Sequence, residues 1–117
     1  MASTFALVRL SELSIGFGPF VIAAAVERKV GLSAFSQMTI NTTQFYTPEW
    51  AKANGLFAEV HEPENLENAV QNLAQNLAQY SPEAMRELKK IFWANTEHWE
   101  ELMNKRAKLS AVLSGIN

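Results

Sequence analysis

The sequence contains no cysteine and no aspartate. Without cysteine, disulfide bonds, thiolate catalysis and cysteine-ligated zinc sites are excluded. Without aspartate, a strict Ser-His-Asp triad is impossible. The two histidines, His61 and His98, lie far apart, and neither has ligand-like spacing to a second histidine or a carboxylate cluster. We therefore expect no metal site and interpret both histidines as structural or surface residues.

Glycine is scarce as well, with five residues in 117. No Gly-x-x-x-x-Gly-Lys or Gly-x-Gly-x-x-Gly motif is present. Gly16 and Gly18 form a lone Gly-x-Gly without the third glycine of a dinucleotide fingerprint. The sequence therefore indicates no resident nucleotide cofactor.

The chain also has no excess of positive charge. It contains 10 lysines and arginines and 12 acidic residues, for a net charge of −2. This balance gives no electrostatic footprint for nucleic acid or an anionic membrane. The basic residues near positions 86–90 and 105–108 are interleaved with acids, which is typical of solvated helix faces. No apolar run approaches about 18 residues, and the first four residues carry no basic group. We expect a cytoplasmic protein with neither nucleic acid nor membrane as partner.

The patterns that are present predict a mainly α fold with one or two short strands. Residues 4–9 alternate weakly with apolar side chains on both faces, which predicts an inner strand, and residues 56–60 predict a second. An inner strand needs neighbours, and few candidates follow it, which suggests further sequence upstream. Pro19 predicts the start of a helix that ends at Gly31, and a second helix continues to about residue 40.

The pattern of apolar and polar residues changes near Glu62. Before it, Thr47 and Pro48 predict a short helix that stops at Gly55. After it come three amphipathic helices, the second opened by Ser81 and the third by Thr96. We therefore divide the chain into residues 1–61 and a helical association segment, residues 62–117.

Glu12 is the one acidic residue whose position suggests chemistry. It lies between the predicted first strand and a Gly-Pro turn, among apolar residues, so we expect it to be partly desolvated. Desolvation disfavours the charged carboxylate, as suits a general acid or base. From composition alone, an ordinary structural or exposed glutamate is the better interpretation.

The segment around Glu12, Ser-Glu-Leu-Ser-Ile-Gly-Phe-Gly-Pro-Phe at residues 11–20, resembles the Pro-Glu-x-x-x-Gly segment of the enoyl-CoA hydratase/isomerase, or crotonase, superfamily. The resemblance continues through Val-Glu-Arg-Lys-Val-Gly at residues 26–31 and Trp-Ala-Lys-Ala-Asn-Gly-Leu at residues 50–56. It extends to Pro-Glu-Ala-Met at residues 82–85 and Thr-Glu-His-Trp at residues 96–99. Several motifs agree in order and spacing over essentially the whole chain.

This resemblance implies the carboxy-terminal part of a crotonase-like α/β fold, a spiral of ββα units. It places Glu12 at the family's second acidic position, a general acid/base at the acyl chain of a CoA thioester. Phe17, Pro19 and Phe20 would line the acyl pocket, and Phe92 would approach the CoA adenine. The implied substrate is an acyl-CoA of fatty-acid metabolism, with no separate cofactor. The implied assembly is a homo-oligomer, a trimer or hexamer.

The sequence departs from the family in one respect that bears on activity. Family catalysis needs two backbone N–H donors, from an Ala-Gly-Ala-Asp-like segment and a Gly-Gly-Gly stretch, and this sequence contains neither. Removing a single oxyanion donor costs roughly two to three orders of magnitude in rate. We therefore expect hydration or double-bond isomerisation chemistry by descent and little activity in this chain. The alternative is a non-catalytic helical module that associates with itself.

Overall fold

The computed structural model describes residues 1–16 and 18–115. One 3-10 helix, Glu12–Ile15, accompanies the regular elements of this part of the chain. Those elements are β1 (Ala2–Ser3), α1 (Ala23–Ile40), α2 (Pro48–Ala53), β2 (Val60–His61), α3 (Pro63–Ala78), α4 (Pro82–Phe92) and α5 (Trp99–Leu113). The predicted fold class, mainly α with short strands, is confirmed.

The two strands form a parallel pair that brings the chain's first residues beside its middle. Ala2 lies opposite Val60 and Ser3 opposite His61. The Thr4 backbone N–H donates to the His61 carbonyl at 2.9 Å, which closes the pair. The second strand was predicted over residues 56–60. In the structure it consists of Val60 and His61 only.

The predicted inner strand over residues 4–9 is wrong. The chain turns at residues 4–5, and Phe5 and Leu7 are 78% and 60% exposed. Val8 forms only an isolated antiparallel bridge with Tyr46. An alternating apolar pattern becomes an inner strand only when strands pair on both sides of it, and these residues have one short partner in the described part of the chain.

Helix α1 starts later than Pro19 predicts, because residues 20–22 form a turn and the helix begins at Ala23. Gly31 has φ 85° and ψ 163°, so two helical segments meet at a kink inside α1. The predicted interruption at Gly31 is therefore confirmed. Its backbone conformation is one that glycine alone adopts readily.

The small core lies between the second half of α1 and α2. Met38, Tyr46 and Ala51 are buried, and the Tyr46 ring lies 4.3 Å from the ring of Trp50. Thr47 accepts a hydrogen bond from the backbone N–H of Trp50 and so caps α2, as predicted. This core holds the turn between the two helices in place.

Helices α3 to α5 begin near their predicted positions, with one correction. Ser81 caps α4 as predicted, but the residue before α5 is His98. Thr96 instead donates its hydroxyl to the Trp93 carbonyl at 2.6 Å. The apolar stripes of these helices remain largely exposed: Val70, Leu73, Leu77, Tyr80, Met85, Leu88, Ile91, Phe92, Met103, Leu109, Val112 and Leu113.

The molecule is more open than a closed domain of its size. Its radius of gyration is 17.2 Å, whereas about 13 Å is typical for 117 residues. Its accessible surface is 8358 Å², against about 6,400 Å² for a folded monomer of 13.1 kDa. Within the described ranges, no helix combines the length and apolar character that crossing a membrane requires. The division at residue 62 stays a prediction.

Candidate functional site

Glu12 begins the 3-10 helix that follows the Val8 bridge. The helix ends at Gly16, whose φ of 86° turns the chain and whose N–H points back at the carbonyls of Glu12 and Leu13. The local sequence therefore produces a short turn of helix, whereas we expected Glu12 directly after a strand.

The carboxyl group of Glu12 is unevenly exposed. The residue as a whole is half-buried, but its Oε2 atom is fully buried and has no hydrogen-bond partner among residues 1–16 and 18–115. Folded proteins satisfy the large majority of buried polar atoms. An unpartnered carboxylate oxygen costs stability and is a common feature of sites that bind a proton or a ligand.

The turn after the 3-10 helix carries the predicted acyl-pocket residues. Pro19 and Phe20 are half-buried. The Phe20 ring lies so close over Gly18 that a Cβ atom there would overlap the ring. Phe17 lies outside the described residues, so its role stays a prediction. The close contact explains why a glycine precedes the proline at this turn.

Phe92 lies at the end of α4 and is 60% exposed. Together with Ala25, Arg28, Lys29 and Trp93 it lines an open cavity of about 310 Å³. The cavity joins an aromatic side to a basic side, an arrangement that suits a planar, negatively charged ligand. Its lining does not include Glu12, Pro19 or Phe20.

Two arginines bind the backbone carbonyls of Phe92 and Phe20, and sequence reasoning missed both. Arg28 of α1 donates from its Nη2 atom to the carbonyls of Phe92 at 2.6 Å and Ala94 at 3.0 Å. Arg106 of α5 donates from Nη1 to the carbonyl of Phe20 at 3.5 Å. The sequence offered only a weak signal, Arg28 beside a helix end.

We next consider metal sites and the two histidines within the described residues. Within them, no group of three or more histidine, cysteine, aspartate or glutamate side chains is close enough to hold a metal ion. His61 lies 3.2 Å from Glu59 through its Nε2 atom, and His98 lies on the surface before α5. The interpretation of both histidines as structural or surface residues agrees with these positions.

The arrangement of helices around a fragment of parallel sheet matches a known class of solved structures. An enoyl-CoA hydratase/isomerase from Pseudoalteromonas atlantica superposes with a TM-score of 0.86 at 19% identity, over 96% of this chain and 45% of its own. Enoyl-CoA hydratases from Mycobacterium smegmatis (18% identity, 98% and 53% coverage, TM-score 0.79) and Mycobacterium avium (19%, 97% and 51%, 0.79) are similar. The fold is that of the crotonase class, and the chain spans about half the length of these proteins.

The sequence itself assigns the family. The sequence model of enoyl-CoA hydratase/isomerase matches residues 1–114. The chain belongs to the enoyl-CoA hydratase/isomerase family. No curated protein sequence matches it at a significant level.

Proposed function

We propose that this chain carries the acid/base part of an acyl-CoA site, with Glu12 as the residue that exchanges a proton with the acyl chain of a CoA thioester. The overall reaction is hydration of a double bond or its isomerisation. Phe20 and Pro19 line the acyl end, and Phe92 lies at the end that holds the CoA nucleotide. The metabolic setting is the conversion of fatty acyl-CoA esters.

The observation that carries this proposal is the buried, unpartnered Oε2 atom of Glu12 within the described residues. A purely structural glutamate gains nothing from that placement, since its buried oxygen loses its hydrogen bonds to water. A general base needs it, because a free oxygen in a desolvated place can accept the substrate's proton. Family membership supplies the substrate class.

Catalysis also needs donors that polarise the thioester carbonyl, and the sequence contains no Gly-Gly-Gly stretch to supply one. Each oxyanion donor contributes roughly two to three orders of magnitude in rate. We therefore propose that the 117-residue chain binds acyl-CoA but hydrates it at close to the uncatalysed rate.

The test is calorimetric titration of the chain with crotonyl-CoA, combined with a hydration assay. We expect Glu12→Gln to bind crotonyl-CoA as the unmodified chain does, because glutamine keeps the shape of the side chain. Turnover by the unmodified chain should be only slightly above the uncatalysed rate, and this excess should vanish in Glu12→Gln. Glu49→Gln is the matched control, since Glu49 is an exposed acid in the first turn of α2.

Turnover that survives in Glu12→Gln contradicts the acid/base role. Absence of any crotonyl-CoA binding contradicts the whole proposal and favours a non-catalytic role for the chain.

One observation favours that second role, a helical module for self-association. The accessible surface of 8358 Å² exceeds the closed-monomer value by about 2,000 Å², more than the roughly 800 Å² that each partner buries in a standard interface. Exposed large apolar side chains lie along α3 and α4. We propose that copies of the chain cover this face in a homo-oligomer, a trimer or hexamer. A monodisperse trimer or hexamer by light scattering would support it, and a stable monomer at all concentrations would contradict it.

A further inference from the structure

Two arginines bind the amino-terminal part of α1 and the turn before it to the region of α4 and α5. Arg28 reaches from α1 to the junction after α4, and Arg106 reaches from α5 back to the Phe20 carbonyl at the turn before α1. We name this pair the arginine clasp. Through it, α1 is bound to the Phe92 carbonyl and α5 to the Phe20 carbonyl. The two phenylalanines stand at opposite ends of the site proposed above.

Arg28 binds the backbone at the junction between α4 and α5. Phe92 is the last residue of α4, and carbonyls at a helix end have no partner within the helix. The chain then reverses through Asn95, whose φ is 67°, an uncommon value for a residue other than glycine. Arg28 supplies charged donors to the Phe92 and Ala94 carbonyls at this reversal, which are stronger than neutral ones.

Two indole rings complete the arrangement. Trp93 and Trp99 meet edge to face with 5.7 Å between ring centroids. The Arg28 guanidinium carbon lies 6.0 Å from the Trp93 ring and 5.9 Å from the Trp99 ring. These distances are at the outer limit of cation–π attraction. The guanidinium therefore contacts both the backbone and the side chains of the junction.

We propose that Arg28 is a positioning residue for acyl-CoA: it fixes the place of Phe92 relative to α1, the helix that follows the acyl-pocket turn. This inference rests on the proposed function for the identity of the ligand. Arg28 also lines the cavity beside Phe92. Its loss should therefore widen the cavity and leave Phe92 without its backbone link to α1. Because the effect acts through Phe92, binding should weaken while the chemistry at Glu12 is untouched.

Arginine suits this position better than lysine. Both cations can donate two hydrogen bonds to carbonyl oxygens, but only the planar guanidinium also presents a flat face to aromatic rings. Arg28→Lys should therefore keep the backbone link and lose the contact with the indoles. This makes it an intermediate variant and a check that loss of charge alone is not the cause.

The experiment uses the full chain with Trp50→Phe, so that tryptophan fluorescence comes from Trp93 and Trp99 only. Acrylamide quenching reports the exposure of the junction, and calorimetry with CoA reports affinity. In Arg28→Ala we expect greater quenching and a Kd for CoA raised about tenfold, the equivalent of one charge-assisted hydrogen bond. Arg28→Lys should raise the Kd about threefold. Far-UV circular dichroism verifies that each variant keeps its helices.

Arg9→Ala is the matched control, because Arg9 also lies over an aromatic ring, 4.5 Å from the Phe45 centroid, at a distance from the junction. It should change neither readout. Unchanged quenching in Arg28→Ala overturns the clasp, whatever CoA does. Greater quenching with an unchanged Kd overturns the positioning role. A chain that does not bind CoA at all overturns the proposed function, while the quenching result still decides whether the clasp exists.

Discussion

The hydroxyl of Tyr46 donates a hydrogen bond to the backbone carbonyl of Gln37 at 3.0 Å, across the turn that joins α1 to α2. Tyr46 is 2% exposed, so water cannot replace this donor. The bond ties the small core to the last turns of α1. Tyr46 also pairs with Val8, whose backbone N–H donates to the Tyr46 carbonyl and whose carbonyl accepts from the Tyr46 N–H.

Loss of this hydroxyl should therefore lower stability. Tyr46→Phe leaves the Gln37 carbonyl without its side-chain donor, and we expect a loss of about 1 kcal/mol in the free energy of unfolding. Urea denaturation followed by circular dichroism measures it. Tyr80→Phe is the matched control, since Tyr80 is exposed and its change should stay within about 0.5 kcal/mol. Equal losses in the two variants would contradict the importance of the bond.

Gly31→Ala should destabilise the protein although alanine favours helices. Nothing lies within 4 Å of the place a Cβ would occupy at Gly31, so crowding does not contribute. The cost comes from the backbone, whose φ of 85° and ψ of 163° strain any L side chain by about 1–3 kcal/mol. The midpoint of urea unfolding reports the change. Exposed Ser33, two residues later in α1, serves as control, and Ser33→Ala should leave the midpoint nearly unchanged. An unaltered midpoint in Gly31→Ala would mean that α1 straightens at no cost.

Thr47→Ala removes the cap of α2. The Trp50 backbone N–H, 3.1 Å from the Thr47 hydroxyl oxygen, would lose its acceptor, and we expect a loss of about 1 kcal/mol. Thermal unfolding by calorimetry measures it. Thr43→Ala, an exposed change in the preceding turn, should have a much smaller effect. The prediction fails when the two threonine variants unfold at the same temperature.

Glu12→Leu should stabilise the protein by about 0.5–1 kcal/mol, because it removes a buried oxygen that has no partner in the described part of the chain. Functional residues often cost stability in this way. Chemical denaturation compares it with Glu49→Leu, which removes an exposed acid from a helix N-terminus and should destabilise slightly. A destabilised Glu12→Leu variant would show that the carboxylate has a structural role.

Leu73→Glu should weaken self-association. Leu73 lies on the exposed apolar stripe of α3, and a charge there opposes burial against a second copy. We expect a lower mass by light scattering and a melting temperature that no longer rises with protein concentration. Gln75→Glu introduces the same charge about 200° around the helix and should leave the mass unchanged. Identical masses for all three proteins would place the interface elsewhere.

Signals that act over a few residues were predictable from the sequence. Thr47 and Ser81 cap their helices and Gly31 interrupts α1, because each of these effects depends on neighbours in the chain. The resemblance around Glu12 indicated the family, which the match over residues 1–114 confirms. The composition of the sequence alone favoured an ordinary glutamate.

Features that depend on distant residues were not predictable. The pairing of Ser3 with His61 replaced the expected strand over residues 4–9, since a strand forms where a partner exists and not where the pattern is best. The contact of Arg28 with the Phe92 carbonyl spans 64 positions and uses a backbone atom, which leaves no trace in side-chain patterns. Thr96 was expected to cap α5 and instead binds the Trp93 carbonyl.

The parallel pairing of β1 with β2 has a consequence for the order of events during synthesis. Ala2 and Ser3 leave the ribosome before their partners Val60 and His61, which follow 58 positions later. At roughly 5–20 residues per second, the amino-terminal segment with its exposed Phe5 and Leu7 waits about 3–12 s before it can pair. Throughout that interval the backbone groups of this segment lack their partners on β2. Helices α1 and α2 are therefore synthesised before Ala2 and Ser3 can take their place beside β2.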